Sequence, residues 1–301
     1  MNSARNKSWV PIYIALGIVW GCSFIFIKLG LEFLTPYGVA FGRCALGAIT
    51  LLIALKIKGF TLPRDRSTWF HLWVVSLLLN VIPGILFAVA ETEVTSILAG
   101  IINAVTPLMT MLAIMIAFRD EVLKRNQVIG LITGFIGVLI VLGAWQGLGS
   151  NPWWAVGALL LAVACYGISF PYSRKNVLPR KLQPETMAAT QLVAASITLL
   201  PMFIWDGIAE NTYPIGPVLA MLALGIFGSG FAYIWNFKII SAAGSAIASS
   251  VTFVTPVVAV LVGIIFLGES ITWNEPVGGL VVLFGAATAQ GRIKLNRKSN
   301  R

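Results

Sequence analysis

Two short segments carry residue types suited to holding a small molecule. Trp20 and Ser23 stand three apart in Trp20-Gly21-Cys22-Ser23-Phe24, which places them on one helix face. Tyr166 and Ser169 repeat the arrangement in Tyr166-Gly167-Ile168-Ser169-Phe170. An aromatic ring beside a hydroxyl supplies an apolar wall with a polar anchor, the usual lining of a ligand cavity. The bland alternative is helix packing with satisfied hydroxyls, and both readings stay open. Asn80, Asn103 and Asn236 fall within strongly apolar runs. An amide left in lipid without a partner is costly, so these should face inward, toward a substrate or a neighbouring helix. Ser229, Tyr233 and Asn236 recur at helical spacing and form one stripe. Thr252 joins the candidates because a shift of 149 residues lays it on Asn103.

Catalytic chemistry finds little support. His71, the single histidine, is expected at a membrane interface, and there is no H-E-x-x-H, G-x-S-x-G or Walker A loop. Cys22, Cys44 and Cys165 follow no metal-ligand spacing and read as free thiols packed among helices. An intramembrane enzyme would need a buried catalytic pair, and none is visible. The chain is therefore read as a non-enzyme needing no cofactor and no metal. Pro83, Pro107 and Pro256 interrupt apolar runs and should kink them, as static bends or as hinges. Lys28 and Arg43 are the only basic residues within apolar runs. Lys28 is expected near one membrane surface close to Glu32; for Arg43, holding carbonyls or a carboxylate is favoured over touching substrate.

These residues must be positioned by membrane helices. The 301-residue chain is 58% hydrophobic and 11% charged, with a mean hydropathy of +0.89. A water-soluble domain is thereby excluded. At roughly 20 apolar residues per crossing, ten spans are expected: 9 to 31, 35 to 57, 69 to 90, 95 to 118, 127 to 145, 153 to 173, 184 to 205, 214 to 238, 245 to 267 and 272 to 291. The first is too long for a signal peptide core and is expected to be retained. The net charge of +10 comes from basic residues that, Lys28 and Arg43 apart, all fall in alternate connections and the two terminal segments. By the positive-inside rule both termini are cytoplasmic, and the basic 292–301 tail is a topology anchor and not a nucleic-acid arm. Expected partners are the lipid bilayer and a small-molecule substrate; an oligomer is left open.

The chain also repeats itself. The 149-residue shift lays Ser96, Val105, Thr106, Pro107 and Gly130 on the identical Ser245, Val254, Thr255, Pro256 and Gly279, with Asp120 on Glu269. A shift of 146 superposes the two aromatic-Gly-x-Ser-Phe segments. Two units result, 1–148 and 149–301. Each holds an odd number of spans, so the units sit inverted, a device by which transporters open one central site alternately to either side. The expected fold class is an all-α membrane protein of ten transmembrane helices in two inverted five-helix repeats.

This layout resembles the EamA family of the drug/metabolite transporter superfamily. The likeness rests on five plus five spans, the aromatic-Gly-x-Ser-Phe segments, and Thr-Pro followed by an acidic residue in spans four and nine. Within that family the chain looks most like bacterial inner-membrane exporters of aromatic and other neutral amino acids. The resemblance implies outward movement of such a substrate by alternating access; a broad-specificity metabolite or drug exporter, and a non-transporting scaffold, are the alternatives. Glu32, Glu91, Glu93, Asp206, Glu210, Glu269 and Glu275 gather near one face, and Asp65, Asp120, Glu121 and Glu185 near the other. With no carboxylate in mid-span, facilitated movement or exchange through an uncharged cavity is expected, Glu91 being the residue that a small shift of span three would bury.

Overall fold

The computed structural model describes residues 9–117, 125–141, 151–210, 212–289 and 293. Expectations resting on Arg5 and Lys7, on 119–124 with Asp120 and Glu121, on linker 147–150 and on most of the 292–301 tail lie outside the described residues.

Apart from one bridge between Leu34 and Ile208, regular structure among the described residues is helical. Among the described residues the helical stretches, in order, are α1 (Val10–Gly30), α2 (Pro36–Lys58), α3 (Arg66–Ala90), α4 (Ser96–Ala117), α5 (Arg125–Val141), α6 (Trp153–Arg180), α7 (Pro184–Asp206), α8 (Ile215–Ala243), α9 (Ser245–Leu267) and α10 (Asn274–Ala289). Eight are long and apolar enough to cross a membrane; α5 and α10, as described, are shorter.

Local sequence fixes the helix ends. The Thr35 and Thr95 hydroxyls and the Asp65 carboxylate accept from the backbone N–H three residues on, at 3.2, 3.1 and 2.8 Å, and so cap α2, α4 and α3. Hydrogen bonds from Thr68 hold the Asp65 carboxyl below the usual carboxylate range. Gly59 ends α2 and Gly268 ends α9 at φ of +69° and +62°, where a side chain would be strained.

Five helices are interrupted. A π turn over Leu77–Val81 precedes Pro83 in α3. Helix α4 breaks between Asn103 and Thr106, and α9 passes through a 3₁₀ turn over Ser250–Phe253. Pro107 and Pro256 each stand second in the segment that follows, where a missing N–H is no loss. Further π turns span Ser173–Val177 in α6, just after Pro171, and Leu224–Phe231 in α8, which holds Gly225, Gly228 and Gly230. Because these turns let the helix resume, α6 and α8 run to Arg180 and Ala243, beyond the expected 173 and 238.

Glycines set the closest approaches. A Cβ on Gly17 or Gly21 would lie 2.6 and 2.5 Å from the Cβ atoms of Val254 and Val258, so α1 lies against α9. A Cβ on Gly167 would meet the Met109 backbone at 2.6 Å, which brings α6 against α4. Helices α5 and α10 pack together through Gly134, Gly137 and Gly285, so this small-residue face is used inside the chain.

Candidate functional site

Two buried apolar clusters divide the interior. One joins Phe24, Ile27 and Phe87 to α4 and the start of α6; the other joins Leu16, Leu79, Phe170 and Tyr233 to α2 and α7. A cavity opens between them, with about 490 Å³ of atom-free space, its mouth included. Rings from four interrupted or glycine-packed helices wall it. The Trp20 indole meets Tyr233 edge-on at 6.2 Å, and Phe87 stacks on Tyr166 at 5.8 Å and meets Phe24 at a tilt at 5.6 Å. Phe170, Leu79 and Ile27 complete the apolar lining.

Polar groups enter where the helices are broken. Asn103, at the break of α4, donates to Thr255 Oγ1 at 3.2 Å and accepts from Thr106 at 3.3 Å, so it ties the breaks of α4 and α9 together while lining the cavity. Thr252 comes from the 3₁₀ turn of α9. Trp20 Nε1 donates to the Gly228 carbonyl at 3.2 Å, and the Tyr233 hydroxyl donates to the Leu79 carbonyl at 3.3 Å. Both acceptors are main-chain groups of π turns, whose looser ladder leaves carbonyls available.

The ten sequence-based candidates separate into two groups. Trp20, Ser23, Asn103, Tyr166, Tyr233 and Thr252 line the cavity. Asn80, Ser169, Ser229 and Asn236 are buried but are not among the residues that line it. Asn80 accepts from Gln191, and Ser169 donates to the Tyr166 carbonyl at 2.7 Å. Asn236 is 1% exposed with neither side-chain atom hydrogen-bonded. Ser229 serves a residue that sequence reasoning ranked as structural. Arg43, 7% exposed, donates from Nε to Ser229 Oγ at 3.2 Å and belongs to the cavity wall. Its two terminal nitrogens have no hydrogen-bond partner among the described residues. The expectation of an uncharged cavity therefore does not hold: a guanidinium stands in it. The signal was present in the sequence, because a lone arginine in an apolar span must meet either a partner or a ligand.

Two charged residues meet at the far end of the cavity. Lys28, expected near a membrane surface and close to Glu32, donates from Nζ to the main-chain carbonyls of Glu91, at 2.6 Å, and Val94, at 3.3 Å. Glu91 itself is 0% exposed, and neither of its carboxyl oxygens has a hydrogen-bond partner. Glu91 caps the end of α3, where a carboxylate was expected at a span end, and it is the residue that a small shift of the span was expected to bury. The charge asymmetry between ends does find structural expression. Glu185 meets Lys58 at 2.7 Å and Lys238 at 3.8 Å, while Asp65 meets Arg180 at 3.3 Å, all at the opposite end from Lys28.

A bundle of apolar helices, several broken around an aromatic and polar cavity, defines a multi-pass membrane protein. The chain belongs to the EamA-like transporter family, which matches twice, over residues 7–143 and 153–289. Among its relatives are an uncharacterized transporter of Archaeoglobus fulgidus and the uncharacterized inner membrane transporter YedA of Escherichia coli. They are 26% and 29% identical over 93% of this chain, and over 97% and 90% of their own lengths. A solved crystal structure of 20% identity, covering 95% of this chain and 98% of its own, superposes with a TM-score of 0.68 and shares the fold.

Proposed function

We propose that the protein exports a small neutral metabolite, most specifically an aromatic or other neutral amino acid, from the cell across its inner membrane. The observation that carries the substrate class is Arg43. A guanidinium whose terminal nitrogens find no hydrogen-bond partner among the described residues, set among the rings of Trp20, Tyr166, Phe87 and Tyr233, offers a carboxylate a two-pronged partner and a hydrophobic side chain an aromatic wall. An α-amino acid presents both parts. The outward direction rests on the family resemblance alone.

The mechanism in this reading is alternating access between two inverted five-helix units, 1–148 and 149–301, with ten spans in all. Matched contacts support the inversion. Gly21 against Val258 and Gly167 against Met109 are one contact under the 146 and 149 shifts. Likewise Lys28 holds the turn before α4, while Arg174, its counterpart, lies beside Gly244 in the turn before α9, where a Cβ would stand 3.4 Å from Nη1. The end rich in Lys58, Arg180 and Lys238 is read as cytoplasmic, with both termini on that side.

The test is transport by purified protein in liposomes, screened against the amino acids in counterflow. Phenylalanine and other aromatic amino acids should exchange well above empty vesicles. Exchange of none of the amino acids would remove the substrate class and leave the family and fold standing.

A further inference from the structure

The cavity reading leaves one buried ionisable group without a task. Glu91 follows the last residue of α3, one turn beyond Phe87 of the cavity wall. Its neighbour Lys28 stands one turn beyond Phe24 of the same wall. Of the other described carboxylates assigned to this end, Glu32, Glu93, Asp206 and Glu210 are not buried, Glu269 accepts from Ser96 N at 2.9 Å, Ser96 Oγ at 2.8 Å and Ile97 N at 3.1 Å, and Glu275 accepts from Thr272 N at 3.0 Å. Glu91 alone among them is wholly buried with both oxygens unpartnered. Its ammonium neighbour is turned to main-chain carbonyls, and no described basic nitrogen lies within 4.0 Å of its carboxyl oxygens.

A carboxylate in such a place is a charge without solvent or counter-ion, which is costly to bury; the neutral acid is not. The groups that face it are Lys28 from α1, Arg43 from α2, Tyr166 from α6 and Glu269 from beyond α9. Two cations and one anion surround it at a distance, so a modest rearrangement could offer the ionised form a partner. The geometry points to Glu91 as a proton-binding site of the transport cycle. It is protonated with the Lys28 end packed as here, and it releases its proton to water at that end when the packing around the turn before α4 opens and frees Lys28 to pair with it. A site occupied differently in two conformations biases them when its ligand concentration changes, and with the proton taken up from the cavity while the Lys28 end is closed and released at that end when it opens, a proton gradient drives the cycle. A metal cation fits this place poorly, because the Glu91 and Val94 carbonyls that would ligate it are held by Lys28, and no cluster of three metal-binding side chains occurs among the described residues.

The inference does not depend on which substrate is carried, and two of its readouts need none. Purified wild-type protein in lipid at neutral pH should show the infrared carbonyl band of a buried neutral carboxylic acid, lost in Glu91→Gln. In a background lacking Cys22, Cys44 and Cys165, a cysteine probe at Ile27→Cys should be labelled by an impermeant reagent several-fold faster as pH rises than the growing thiolate fraction accounts for. With Glu91→Gln only the thiolate-driven rise should remain. Phenylalanine exchange adds a third readout, in which an imposed pH gradient drives accumulation by the wild type and not by Glu91→Gln. Absence of the Glu91-dependent band, or an Ile27→Cys labelling profile that follows pH equally in Glu91→Gln, overturns the proposal. If phenylalanine is not carried, the substrate reading falls, and the band and labelling still decide this one.

Discussion

Replacing Arg43 separates recognition from folding. Its Nε is engaged by Ser229, and its terminal nitrogens are unpartnered, so a bound carboxylate would gain charge-assisted hydrogen bonds that no other described cavity-lining side chain can supply. Such a bond is worth about 1.5–3 kcal/mol, and every 1.4 kcal/mol or so is tenfold, so Arg43→Gln should lower kcat/KM for phenylalanine by roughly 10- to 100-fold. Arg43→Lys keeps the charge but not the fork and should fall between. Ser229→Ala removes only the partner that orients the guanidinium and should cost a few-fold. Because a buried charge without a counter-ion is itself a burden on the empty protein, Arg43→Gln should melt no lower than wild type. The assay is counterflow of labelled phenylalanine in liposomes, with 2-phenylethylamine and phenylpropionate as competitors. Wild type should be inhibited by the acid and not by the amine, and Arg43→Gln should lose the distinction. Wild-type kinetics in Arg43→Gln, or equal competition by amine and acid in the wild type, would refute the carboxylate argument and return Arg43 to a structural role.

Further expectations follow from the walls, the close contacts and the charge pattern. Trp20→Ala and Tyr166→Ala should weaken aromatic substrates more than aliphatic ones, by a few-fold to about tenfold, since ring contacts contribute about 0.5–1.5 kcal/mol beyond area burial; competition assays read this directly. Gly167→Val should lower the melting temperature, because its Cβ would meet the Met109 backbone at 2.6 Å, and overpacking costs about 1–3 kcal/mol. Gly157→Ala, with nothing within 4 Å, is the matched control and should melt no lower than wild type. Impermeant thiol labelling of intact cells should reach cysteines placed at Thr92 or Thr212 and spare one at Lys181; the opposite pattern would invert the assigned orientation.

How much of this was legible in the sequence depended on whether a property is local or relational. Helix existence is local: a run such as 36–58 is apolar enough to span, and Thr35-Pro36 at its start and Gly59 at its end mark its bounds within a residue or two. The paired segments around Trp20 and Tyr166 were visible because the sequence repeats, and both rings reach the cavity. What stayed hidden is how far each helix is rotated and where its ladder loosens. The stripe of Ser229, Tyr233 and Asn236 was drawn on an ideal helix, yet Ser229 lies in the π turn Leu224–Phe231, which shifts the register before Tyr233. Tyr233 therefore reaches the cavity, while Ser229 meets Arg43 and Asn236 is buried elsewhere. Phe24 and Phe87 escaped notice because an aromatic residue in an apolar run carries no mark that distinguishes wall from packing.

Charges inside or at the ends of spans were misjudged for a related reason: position along one helix gives depth but not company. Lys28 stands about one turn before Glu32 in the sequence, which placed it near a membrane surface but did not show what reaches its Nζ. The turn joining α3 to α4 brings two main-chain carbonyls to its Nζ, and the C-terminal end of a helix is a favourable place for a cation. Once Lys28 is held there, Glu91 is sealed in without it, although the two residues adjoin. The same fold that hides Glu91 leaves the Arg43 fork free in the cavity a few turns away. A membrane interior tolerates such a separation of opposite charges only where something else completes each of them. In the proposed reading that is a substrate carboxylate for Arg43 and a proton for Glu91, which is why the two variants Arg43→Gln and Glu91→Gln should fail in different assays.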